Sequence, residues 1–148
     1  MVHKERPIIK IESTPFDKIL EVASLLLLVT GVILAYYMYG EPGISGISVL
    51  VAAIFIGTYI SLTPLVRFPE KFNYIVKITP ENAYKQYCLG VRLIRFVKLW
   101  GLFLFNSIML VIFVRINTGI WVSSFIVFSV IMFIIGFAYY IYLSYKNR

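Results

Sequence analysis

Four long apolar runs, almost free of charge, constrain this chain more than any other feature. They cover about 19–39, 47–66, 96–114 and 120–143. A helix of about 20 apolar residues crosses a hydrocarbon core of roughly 30 Å. Barrel strands would instead alternate apolar and polar residues over roughly 10 positions. Ile131 to Ala138 reads Ile-Met-Phe-Ile-Ile-Gly-Phe-Ala, which does not alternate. Buried helices of a soluble fold would carry polar faces, and these runs have almost none. Hydrophobic residues reach 60% of the 148 positions and charged residues 14%, against roughly 45–50% and about 25% in soluble domains. The expected fold is an all-α membrane protein, a single membrane domain over 1–148, with four transmembrane helices arranged as two helical hairpins. The first run is too long for a signal-peptide core, and no small-x-small cleavage pattern follows it, so it is expected to remain as a span.

The connections fit that scheme. Gly40-Glu41-Pro42-Gly43 and Asn117-Thr118-Gly119 are turn signals. Thr63-Pro64 stands near the end of the second run, where proline ends or kinks a helix. Residues 67–95 form a charged middle loop. Of the 14 lysines and arginines, all but Arg115 lie in the two tails or between Arg67 and Lys98. By the positive-inside rule both termini and the middle loop are cytoplasmic. The net charge of +7 is thereby read as contact with anionic lipid headgroups rather than nucleic acid. The lone Cys88 has no disulfide partner, in keeping with a reducing compartment. Tyr36, Tyr37 and Tyr39 would sit at the outer interface with Trp121, and Tyr139, Tyr140, Tyr142 and Tyr145 at the inner one, the depth that amphipathic rings prefer.

Two segments lead into the membrane in the same way. Ile8-Ile9-Lys10-Ile11 is followed by Thr14-Pro15-Phe16-Asp17, and Ile75-Val76-Lys77-Ile78 by Thr79-Pro80-Glu81-Asn82. Threonine is a good N-cap and proline suits the first helical turn. Asp17, three residues after Thr14, resembles a capping box. Two related hairpins would follow, with a short cytoplasmic β-ribbon pairing the two β-prone segments. A helix from Pro80 to Val114 would be about 52 Å long at 1.5 Å per residue, so its first turns must project from the hydrocarbon. Lys85, Arg92, Arg95 and Lys98 fall on one arc of that helix. The arc is read either as an amphipathic collar on anionic lipid or as a solvated cationic face.

Catalytic chemistry is hard to assemble. Glu21 sits at the edge of the first run and Glu41 in the outer loop, and none of the four apolar cores is read as holding an ionisable residue. That argues against a proton-coupled pump or a cation channel built by one copy. The single histidine, His3, is near one end, and no metal or phosphate motif stands out. Neither an enzyme nor a cofactor is expected. The spans do carry packing chemistry: Gly31 and Ala35 in the first, Ala53, Gly57 and Ser61 in the second. Such small faces let helices approach closely, within one chain or between copies in a homo-oligomer. Asn106 must bond inside the bundle, because lipid offers no partner.

The cytoplasmic segments resemble a bacterial family of small multi-span membrane proteins, the SdpI-related family, mostly of unknown function. In the tail the likeness rests on Arg6-Pro7, Lys10-Ile11, Thr14-Pro15, Asp17-Lys18-Ile19 and Glu21. In the loop it rests on Arg67-Phe68-Pro69, Phe72-Asn73-Tyr74, Ile78-Thr79, Glu81-Asn82-Ala83, Gln86-Tyr87 and Arg92-Leu93-Ile94-Arg95. The resemblance implies a bacterial cytoplasmic-membrane location and, by the family's immunity member, protection against a secreted toxin and membrane-linked signalling. Family members usually carry a longer first outer loop; here only Gly40-Glu41-Pro42-Gly43 stands in its place. The expectation is a partner-binding protein whose cytoplasmic surface comprises Phe68, Pro69, Phe72, Asn73, Tyr74, Glu81, Asn82, Arg92 and Arg95. The competing expectation is an accessory subunit of a transporter or channel.

Overall fold

The computed structural model describes residues 6–40, 45–114 and 120–148, without side chains at 111–114, 120–123 and 125. Among these residues four helices follow one another, α1 (Pro15–Tyr39), α2 (Ser45–Leu65), α3 (Ala83–Val114) and α4 (Ile120–Lys146), with a 3₁₀ turn at Pro69–Lys71. All four are long and apolar enough to cross a membrane. Pro64 is tolerated inside α2 because it stands one residue before the helix ends. Residues 41–44, which hold most of the first turn signal, and 115–119, which hold the second, lie outside the described residues, as does the Trp121 side chain.

The bundle leaves its apolar surface outward. Only 11% of the most apolar stretch of α2, and the same share of α4, is buried inside the protein. Monomeric soluble proteins rarely expose apolar patches beyond a few hundred Å², so lipid is the solvent this surface suits. Tyr36, Tyr37 and Tyr39 are exposed at one end, and Tyr139, Tyr142 and Tyr145 at the other.

Helix α1 lies against both α2 and α3, α2 also touches α3, and α4 packs on α3. The shared core is Ala35, Met38, Phe55, Leu102 and Met109. Its tightest point is Gly31: a β-carbon there would come within 2.7 Å of the Phe55 ring, so glycine lets α2 seat this ring against α1. Asn106 ties α3 to α1, its Nδ2 donating to the Leu27 carbonyl at 2.9 Å and to Leu102 at 2.8 Å. That is the structural role expected of an amide among apolar helices. On the far side, the Phe96 and Phe133 rings stack at 6.2 Å to join α3 and α4.

The structure narrows one sequence expectation and corrects another. Gly31 and Ala35 are buried as packing residues, but Ala53, Gly57 and Ser61 all lie exposed. A β-carbon on Gly57 would meet nothing within 4 Å. Within one chain, α2 therefore packs through Phe55 and not through its small-residue face. The β-ribbon is likewise not formed among the described residues: 6–14 and 73–79 contain no strand. Side-chain bonds to backbone carbonyls hold the tail instead of a ladder, as described below.

Candidate functional site

Both α1 and α3 begin with the same hydrogen-bonded device. At the first, the Thr14 N–H donates to the Asp17 carboxylate at 2.9 Å, and the Asp17 N–H returns a bond to Thr14 Oγ1 at 3.3 Å. At the second, the Thr79 N–H donates to Asn82 Oδ1 at 2.8 Å, and the Asn82 N–H donates to Thr79 Oγ1 at 3.3 Å. Each satisfies helix-terminal donors that would otherwise be orphaned. The first helical bonds also correspond, Lys18 N–H to the Thr14 carbonyl and Ala83 N–H to that of Thr79. The similarity of the two segments in sequence is thus a similarity in local fold.

The two starts differ in what their fourth residue does next. Asn82 turns its Nδ2 back to the Lys77 carbonyl at 3.0 Å, fixing its own loop. Asp17, whose side chain is 3% exposed, reaches across to α3, where Arg95 Nη1 stands 2.8 Å from its carboxylate. One turn further along α1, Glu21 accepts from Arg95 Nε at 3.3 Å and from Lys98 Nζ. Arg92 stands 3.9 Å from Asp17 at the exposed rim. Lys98 is fully buried. Its ammonium lies 3.4 Å from Thr63 Oγ1 and 4.7 Å from the centre of the Tyr59 ring, so it links α1, α2 and α3. Burying these charges is affordable only because each has a partner.

This seam revises the reading of the cationic arc on α3. Lys85 and Arg92 are exposed, as a lipid or solvent face requires, but Arg95 and Lys98 are buried against the carboxylates of α1. Lys98 also lies within the third apolar run, so that run does contain an ionisable residue. It is held there by Glu21.

The tail and the middle loop close over the seam. Arg6 Nη1 donates to the carbonyls of Glu70, at 3.0 Å, and Phe72. The Tyr87 hydroxyl donates to the Pro7 carbonyl at 3.1 Å, and that of Tyr74 to Pro69 at 2.9 Å. Burial pushes the Tyr74 phenol above its ordinary pKa range. A β-carbon on Gly90 would lie 2.9 Å from the Tyr74 hydroxyl, so glycine lets the loop aromatics rest on α3. At the same end Gln86 Nε2 caps α4 by donating to the carbonyls of Ser144 and Asn147. Both tails and the middle loop therefore gather at one end of the bundle. Between the tail, the end of α2 and the seam lies a cavity of about 450 Å³, whose polar lining is Lys10, Glu21, Thr63, Arg67 and Arg95.

The nine residues expected to form a docking surface divide into two groups. Pro69, Asn82 and Arg95 are buried, and Phe72 and Tyr74 are half-buried, their rings tilted against each other with centres 6.0 Å apart. Phe68, Asn73, Glu81 and Arg92 are exposed, with the Lys71 ammonium 4.7 Å from the centre of the Phe68 ring. Sequence reasoning passed over Asp17, Glu21, Lys98, Thr63 and Tyr59 as members of a site. The available signal was complementary spacing: carboxylates at i and i+4 on one helix, cations at i, i+3 and i+6 on the other. Among the described residues no cluster of His, Cys, Asp and Glu is suited to hold a metal ion. Comparison with protein-family models, characterised proteins and solved structures finds no match.

Proposed function

We propose that this chain is a non-enzymatic, multi-pass protein of the bacterial cytoplasmic membrane, related to the SdpI family. Its four spans form two helical hairpins, with the termini and the middle loop in the cytoplasm, and it works by binding a protein partner there as an immunity or envelope-signalling component. The orientation is supported by the gathering of both tails and the loop at one end of the bundle, because every lysine and arginine except Arg115 belongs to those segments, to the adjoining ends of α1 and α4, or to the first half of α3.

The observation that carries the binding role is the condition of the loop. A connection between two spans needs only to reach. This one is tied down by Arg6, Tyr74 and Asn82, yet it leaves Phe68 47% exposed and Asn73 and Glu81 in the open. A fixed backbone presenting an aromatic ring, an amide and a carboxylate is a preorganised contact surface. The test is partner recovery by crosslinking from cells. Phe68→Ala and Asn73→Ala should abolish recovery while the amount of protein in the membrane stays unchanged. Recovery at the unsubstituted level would refute the docking role.

The second reading, an accessory subunit of a transporter or channel, is favoured by the buried Lys98 and its partly exposed partner Glu21, since ionisable residues within spans often mark transport pathways. Deleting the gene separates the two. Greater sensitivity to secreted toxins with unchanged solute flux supports the first reading, and the reverse supports the second.

A further inference from the structure

We infer that the cavity beneath the tail binds the phosphate of an anionic amphiphile, with an anionic phospholipid of the surrounding leaflet as its source. This rests on the cavity's charge and shape and is independent of the partner-binding role of the loop.

The charges around the seam do not balance. Asp17 and Glu21 face three cations, Arg92, Arg95 and Lys98. Lys10 and Arg67 then add two more at the cavity wall, while among the described residues Glu21 is the only carboxylate lining it. Lys10 and Arg67 are exposed, so they leave the mouth of the cavity with an excess of positive charge that draws in an anion. Arg95 also has donors to offer. A guanidinium carries five N–H groups; Nε donates to Glu21, whereas Nη1 lies 2.8 Å from Asp17 as an ion pair without making a hydrogen bond.

Size and lining narrow the class of anion. A volume of about 450 Å³ falls in the range of small-molecule sites, roughly 300–1,000 Å³. It would hold on the order of 15 waters at about 30 Å³ each, far more space than one inorganic counterion fills. The remaining wall is Ile9, Ile11, Val66 and Pro69, so the ligand should carry apolar atoms beside its charge. The cavity sits where α2 ends at Leu65, the level at which a span leaves the hydrocarbon and meets headgroup phosphates.

The experiment uses the full chain purified in neutral detergent, with binding measured by native mass spectrometry against phosphatidylglycerol, phosphatidylcholine and inorganic phosphate. Lys10 and Arg67 are exposed, so Lys10→Gln and Arg67→Gln should leave the fold intact. Phosphatidylglycerol should bind in preference to phosphatidylcholine, and each substitution should weaken it about fivefold, the effect of one cation near a membrane surface. Lys146→Gln and Arg148→Gln remove equal charge at the same end of the protein away from the cavity, and should leave binding within about twofold. Val66→Phe, which fills the apolar wall without touching charge, should weaken phosphatidylglycerol. Inorganic phosphate displacing the lipid through Lys10 and Arg67 would keep the phosphate site and assign it a soluble source. Equal binding of the two lipids without any phosphate binding would overturn the inference. So would equal losses from the Lys146 and Arg148 variants, which would reveal only diffuse attraction.

Discussion

The starts of α1 and α3 share one piece of local chemistry and put it to different use. Thr14 with Asp17, and Thr79 with Asn82, close the same reciprocal pair of hydrogen bonds. The exchange of a carboxylate for an amide decides the rest. The amide's spare donor returns to the Lys77 carbonyl in its own loop. The carboxylate's charge draws Arg95 across from the other helix. A capping residue can therefore be neutral and serve only its own turn, or charged and also fix how two spans sit together.

That contrast can be tested by the unfolding free energy of the chain in mixed micelles, read from its midpoint in denaturing detergent. Arg95→Ala should have the largest effect. It leaves Asp17 buried without its guanidinium partner and Glu21 with Lys98 alone, a loss of about 3–5 kcal/mol, and little protein should accumulate in the membrane. Asp17→Asn should come next, at about 2 kcal/mol. It converts the first start into a copy of the second, keeping the reciprocal bonds and removing only the charged partner of Arg95. If Asp17→Asn proved neutral, the ion pair would contribute nothing and the contrast would fail. Asn82→Ala should cost about 1–2 kcal/mol, because its bonds with Thr79 and Lys77 are local. Thr14→Ala and Thr79→Ala should each cost about 1 kcal/mol and agree within about 0.5 kcal/mol. Unequal losses would show that the two devices are not equivalent. Smallest of all, Phe68→Ala and Asn73→Ala should stay within about 0.5 kcal/mol, as exposed positions usually do.

Much of the architecture was legible in the sequence, because lipid makes hydropathy a direct readout of which segments cross it. The runs at 19–39 and 47–66 correspond to α1 and α2, and the long third helix, expected from Pro80, runs from Ala83 to Val114. The Thr14–Asp17 cap was visible as a motif. Its counterpart was half visible: Thr79-Pro80 stood out, while Asn82 was assigned to the docking surface. The seam escaped for a different reason. Helical periodicity tells which residues share a face and not what that face meets, so Arg95 and Lys98 could be grouped correctly and still be assigned to lipid or solvent. Asp17 read as a capping residue and Glu21 as the margin of a span, so neither was connected with α3. Ala53, Gly57 and Ser61 show the same limit, since small residues permit close approach without saying which neighbour takes it up.

A double-mutant cycle on Asp17→Asn and Arg95→Gln is the most direct measurement of whether the charged turns of α1 and α3 hold each other. If they do, the two changes are coupled by about 1 kcal/mol or more, and the double variant is less destabilised than the single losses combined. Losses that add to within about 0.5 kcal/mol would mean the residues act independently and would contradict the seam.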